Sequence, residues 1–159
     1  MSRSNRGVAI LFGVSLLIIA RPGGTDGPFQ FHSLTPCRIV DTRLPNQVVG
    51  EYGPVLASNV ERMFPVQGNC GVPVGARAAT LNVTAVAPTN QGRFTLYPSG
   101  ITTPLVSTIN FPPATTALAN GAIVPLADQS VQPSDLAVMP LVVGGGQVHL
   151  VLDVTGYFQ

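Results

Sequence analysis

Arg38, Asp41 and Arg43 stand close together in the string Thr35-Pro-Cys-Arg-Ile-Val-Asp-Thr-Arg43. On an extended segment, residues two apart share a face, so Asp41 and Arg43 can pair, the guanidinium offering the carboxylate a rigid fork of donors. Alternation puts Ile39 on their face and turns Arg38 the other way with Val40. In a chain with few charges, such a pair reads as a structural tie that orients a strand end. The functional alternative is a ligand cradle: Arg43 grips a carboxylate or sugar hydroxyls and Asp41 accepts hydrogen bonds. Tyr52, in the Pro- and Gly-rich stretch 50–59, would add an exposed ring.

The remaining candidates for chemistry are weaker. His149 and Asp153 share a face four residues apart, roughly 13 Å at strand rise and too far for a dyad. The chain has no G-x-S-x-G elbow, and Pro98-Ser99-Gly100 reads as a hairpin turn. A glycan hydrolase would need two of Asp41, Glu51, Glu61 and Asp153 to meet in space, and their scattered positions do not argue for it. No enzyme is therefore expected, a hydrolase being the lesser alternative. Asp128 and Asp135, with Gln129, Ser130 and Ser134, offer oxygen ligands but no calcium loop, and read as a solvated turn. Asn82-Val-Thr84 matches a glycosylation sequon inside an alternating run, which makes Asn82 a polar residue of a sheet face. Arg38, Asn110 and Asp153 are read in the same way, as structural polar groups.

The N-terminus points to export. Arg3 and Arg6 precede the uncharged apolar run from Gly7 to Ala20, which Arg21-Pro22-Gly23-Gly24 ends. A run of that length is short for a bilayer span of about 20 residues and suits the core of a secretory signal. Residues 1–26 are read as a signal peptide and short linker, an uncleaved membrane anchor being the alternative, and residues 27–159 as one domain. Cys37 and Cys70 are an even pair in an exported chain, which favours a disulfide. Zinc is disfavoured, because His32 and His149 lie at opposite ends and no further cysteine supplies ligand spacing. No metal or cofactor is expected.

Composition narrows the partners. The 159 residues include 17 Gly and 15 Pro, are 45% hydrophobic and only 9% charged, with every basic residue an arginine. From Gly27 onward five arginines face six acids, so the body has no basic stripe for a polyphosphate, and nucleic-acid binding is not expected. The expected partners are a cell-wall or extracellular glycan or a second copy of the chain. A membrane enters only through an uncleaved N-terminal segment.

What must position these residues is a set of strands. Short alternating or apolar runs recur at 37–43, 61–66, 77–86, 92–97, 105–111, 122–126, 136–143 and 147–158, separated by Gly, Pro, Asn and Ser. Ala79, Leu81, Val83 and Ala85 alternate with Thr80, Asn82 and Thr84, and Val148, Leu150, Leu152 and Val154 alternate with His149 and Asp153. Eight short strands without intervening helices predict an all-β, antiparallel two-sheet β-sandwich of jelly-roll kind.

Six strings in order carry a resemblance. They are Thr35-Pro-Cys-Arg-Ile-Val-Asp-Thr-Arg43, Cys70-Gly-Val-Pro73, Leu81-Asn-Val-Thr84, Gly92-Arg-Phe-Thr-Leu-Tyr-Pro98, Ser107-Thr-Ile-Asn-Phe111 and Leu152-Asp-Val-Thr-Gly-Tyr-Phe158. Over residues 29–159 the chain resembles a module common in exported bacterial proteins, often repeated or appended to larger surface proteins and without an assigned reaction. The resemblance implies a secreted or cell-surface location and a link between the cysteines of the first two strings. It departs at Leu118-Ala-Asn-Gly121, where such modules often carry Arg-Ala-Asn-Asn, and at Asp153-Val-Thr-Gly156, where they carry Asp-Val-Asn-Gly. The combined expectation is a secreted, non-catalytic structural or adhesive module, or alternatively a glycan- or peptidoglycan-binding one.

Overall fold

The structure, a computed structural model, describes residues 27–159. The segment read as an export signal lies outside the described residues. Those described form eleven strands: β1 (Phe31–Asp41), β2 (Gln47–Val48), β3 (Glu51–Tyr52), β4 (Leu56–Ala57), β5 (Arg62–Phe64), β6 (Ala78–Val86), β7 (Gly92–Pro98), β8 (Ile109–Phe111), β9 (Ala117–Pro125), β10 (Leu136–Val142) and β11 (Gln147–Phe158). No helix occurs among the described residues. All eight expected strands are present. The three added ones, β2 to β4, have two residues each and lie in the Gly- and Pro-rich segment after β1.

One sheet runs β1-β11-β6-β9, with β4 added to the start of β11; the other runs β5-β10-β7-β8; β2 and β3 form a separate hairpin. Every pairing is antiparallel. Among the eight strands of three or more residues, first pairs with last, second with seventh, third with sixth and fourth with fifth, and successive pairs fall in alternate sheets. This is a hairpin ribbon rolled into a two-sheet sandwich, the jelly-roll arrangement.

The two inner faces make one core. Ala79, Leu81, Val83 and Ala85 of β6 and Val148, Leu150, Leu152 and Val154 of β11 meet Phe94, Leu96, Leu136 and Val138 of the opposite sheet. Each large apolar side chain so buried stabilises the fold by roughly 1.5–3 kcal/mol relative to exposure. The outer face of the second sheet is partly roofed by the 99–108 loop. There the Tyr97 hydroxyl bonds to Glu61 and Thr103, and Thr95 Oγ1 donates to the Val106 carbonyl at 2.6 Å. Burial is the main cause that raises the Tyr97 phenol above its ordinary value, with the Glu61 hydrogen bond adding to it.

Several strand ends differ from expectation. β1 begins at Phe31, pairing with Phe158, and stops at Asp41, so Thr42 and Arg43 follow the strand. Gly156 permits that long pairing, since a Cβ there would come within 2.7 Å of the His32 carbonyl. β9 begins at Ala117 rather than Ala122; it pairs with β6 over nine positions, yet Val124 is its sole buried residue. β8 is cut to 109–111, residues 105–108 crossing instead as the roof of Thr95.

Candidate functional site

The charged cluster sits on the outer face of the first sheet. Between Arg38 and Val40 the register with β11 slips, Arg38 facing Asp153 and Val40 facing Leu152. This β-bulge resets the alternation, so Arg38 joins Asp41 rather than opposing it, correcting the strict two-residue period. Arg38 donates from Nε to Asp153 Oδ1 at 2.8 Å and from Nη2 to Oδ2 at 3.3 Å, and its Nη1 lies 3.5 Å from Asp41 Oδ2. Arg43 donates its backbone N–H to Asp41 Oδ1 at 3.0 Å, Nε to the same oxygen at 2.8 Å and Nη2 to Oδ2 at 2.6 Å.

Asp41 is 2% exposed. The Arg43 guanidinium holds its carboxyl below the usual range, and the same bond raises Arg43. Arg38 is raised chiefly by its bond to Asp153. Two arginines and two aspartates thus close on one another with no net charge. Asn82 faces Asp153 across the β11–β6 ladder and Gly121 across the β6–β9 ladder, extending this polar row over the sheet.

Tyr52 is half-buried rather than exposed. Its ring stands edge-on to Phe64 at 5.6 Å, its carbonyl accepts from Arg62 Nη2 at 2.7 Å, and burial raises its phenol. The Arg62 guanidinium lies over the same Phe64 ring at 5.2 Å. The 44–60 loop folds back on β1 through the Gly50 N–H to Ile39 carbonyl bond, and that return carries Tyr52 inward.

His149 and Asp153 have separate partners: His149 Nδ1 lies 3.2 Å from Thr42 Oγ1, and Asp153 is held by Arg38. Ser99 Oγ donates to the Ser134 carbonyl. The described residues contain no group of three His, Cys, Asp or Glu that would hold a metal.

Cys37 and Cys70 are joined by a disulfide, Cα to Cα 5.8 Å, which fastens β1 to the 65–76 loop. The other side of that loop is held by Asp135, at 0% exposure, whose carboxylate accepts the backbone N–H of Val66 at 2.7 Å and of Gln67 at 2.8 Å. Gln67 continues the tie, donating Nε2 to the Ala127 carbonyl and accepting the Gly75 N–H, both at 2.8 Å. Asp135 is therefore a buried anchor and not part of a solvated turn; Asp128 is exposed and bonds within its own turn to the Ser130 N–H at 2.9 Å.

The outer face of the second sheet holds a group that the sequence patterns do not single out. Arg93 of β7 is exposed and, among the described arginines, is the one whose side chain has no ion pair, hydrogen bond or ring contact. It lines three adjoining hollows: one of about 400 Å³ with Gln91, Asn110, Pro112, Leu141 and Val143, and two of about 250 Å³ toward Thr103, Leu105 and Ser107. No carboxylate of the described residues lines any of them. A signal existed in the sequence, since the residues between Glu61 and Asp128 include no acid and Arg93 lies near their middle.

No protein-family model matches the chain, and no curated protein matches it significantly.

Proposed function

We propose that the protein is an exported, non-catalytic structural or adhesive β-sandwich module that associates with itself through β9. The disulfide suits an oxidising compartment. The residues best equipped for chemistry are engaged in ties: Asp41 and Asp153 with arginines, Asp135 with two backbone donors, His149 with Thr42. The same engagement weighs against a hydrolase built on these acids.

The carrying observation is the edge at β9. Nine residues, Ala117-Leu-Ala-Asn-Gly-Ala-Ile-Val-Pro125, end the first sheet with no charged side chain. The ladder to β6 is bracketed by two bonds, Leu126 N–H to the Arg77 carbonyl and Ala87 N–H to the Thr116 carbonyl. In an antiparallel ladder that phase turns even-numbered residues of β9 toward β6 and leaves Ala117, Ala119, Gly121 and Ile123 pointing N–H and C=O outward. Such an edge, unguarded by charge, templates another strand. Two copies paired antiparallel about Gly121 set Ala119 against Ile123 twice and place no side chain on the two-fold axis.

A symmetric cross-link tests this. Across such an axis the two Gly121 Cα atoms would stand about 5.5 Å apart, within disulfide reach. Gly121→Cys is expected to oxidise to a covalent dimer, whereas Leu105→Cys, on the other sheet's roof, is not. Monomeric Gly121→Cys, or equal cross-linking of both, counts against the reading. The alternative of a ligand-binding module draws support from the hollows around Arg93.

A further inference from the structure

We propose that the groove around Arg93 is a binding site for a carboxylate carried on a small aliphatic body, such as the free end of a peptide or an acidic sugar. This goes beyond self-association and does not rest on it: Arg93 lies on the outer face of the second sheet, whereas β9 edges the first, although Asn110 also borders β9. Three observations converge. The Arg93 guanidinium has no partner among the described residues, while the other described arginines each have one. Its neighbours across the two ladders are Asn110 of β8 and Leu141 of β10, one amide and one aliphatic side chain. Asn110 accepts Ser107 Oγ on Oδ1 at 2.9 Å, which leaves both Nδ2 hydrogens without an acceptor among the described residues.

The Arg93 guanidinium and the Asn110 amide therefore bring seven N–H donors to the groove, five from the one and two from the other, beside neutral amide and hydroxyl side chains such as Gln91 and Thr103. Its single positive charge, with no carboxylate among the lining residues, matches a monoanion; a phosphate dianion would be left half-neutralised. The guanidinium fork fits a carboxylate at two points. Leu141, Val143 and Pro112 wall the largest hollow, whose volume of about 400 Å³ takes a short aliphatic group rather than a second charge.

The test is an amide NMR titration of the full chain with its disulfide intact, using N-acetylalanine, glucuronate, N-acetylalaninamide and inorganic phosphate as probes. Saturable shifts at Arg93, Asn110 and Leu141 with N-acetylalanine or glucuronate, and none with the amide, are expected. Which of the two acids binds identifies the source. Arg93→Gln should weaken the binding at least about tenfold with melting unchanged, since the side chain it replaces has no bond to lose. Arg93→Lys should retain part of it. The proposal is overturned by silence of these residues toward both acids at tens of millimolar, by equal shifts with N-acetylalaninamide, by tighter binding of phosphate, or by titrations that Arg93→Gln leaves unaltered.

Discussion

Replacing Asp135 tests how the disulfide-bearing loop is held. Its carboxylate has no solvent exposure and satisfies the N–H groups of Val66 and Gln67. Asp135→Ala leaves both donors buried and unmet, at roughly 1–3 kcal/mol each, so a loss of roughly 2–6 kcal/mol is expected. Asp135→Asn keeps one acceptor oxygen and turns an NH2 toward the other donor, which predicts roughly half that loss. In a domain of this size 1 kcal/mol moves Tm by roughly 3–5 °C, so the alanine variant should melt at least roughly 6 °C below the parent. The companion is Asp128→Ala, whose exposed carboxylate bonds within its own turn and otherwise only feels the charge of Arg77; its melting should stay within about 2 °C of the parent. Circular-dichroism melts and urea titrations measure both, and hydrogen exchange at Val66 and Gln67 locates the loss. An Asp135→Ala protein melting within about 2 °C of the parent, or an Asp128→Ala protein falling as far, would refute the reasoning.

Two more outcomes follow from the ties. The Cys37–Cys70 bond spans a sequence separation of 33, and opening such a loop costs roughly 3–4 kcal/mol on the chain-entropy model; melts with and without reductant should differ accordingly, and coincident melts would contradict it. The Asp41 carboxyl is held below its ordinary value of 3.8 by Arg43, so the folded state binds that proton less tightly than the unfolded state. Its contribution is in full force above the unfolded value and fades as pH falls through the lower folded value, so stability should drop more steeply below about pH 4 in the parent than in Asp41→Asn. Parallel urea midpoints across that range, if found, would remove Asp41 from the acid response.

Much of the first sheet is legible in the sequence because its central strands, β6 and, apart from Val151, β11, bury one face, whereas β7 and β10 of the second sheet are buried on both. β6 and β11 alternate so regularly that their core residues can be named from the alternation alone, and the paired cysteines follow from their even count and the export reading. The misplacements have physical causes. A single bulge at Arg38–Val40 reverses the face of every residue beyond it, so period two puts Arg38 on the wrong side. Most of β9 shows no apolar alternation because an edge strand exposed on both faces needs none; its place is set by the backbone ladder to β6. Tyr52 sits among Pro and Gly, a setting that suggests exposure, yet the loop folds inward onto Phe64. Asp135 is buried by partners 68 and 69 positions away, and Arg93 is distinguished by lacking a partner among the described residues. The burial of Asp135 depends on long-range proximity that local pattern does not encode, and the acid-free stretch 62–127 hints at Arg93 without telling it from Arg62 or Arg77.

Sedimentation of the full chain beside Ala119→Pro tests the central claim most directly. The Ala119 N–H points away from β6, so proline there removes no bond within the sheet and caps the outer edge. The parent should associate as concentration rises, while Ala119→Pro, melting at nearly the same temperature, should stay monomeric. A parent that remains monomeric at every concentration, or a proline variant that associates as the parent does, would contradict assembly through β9.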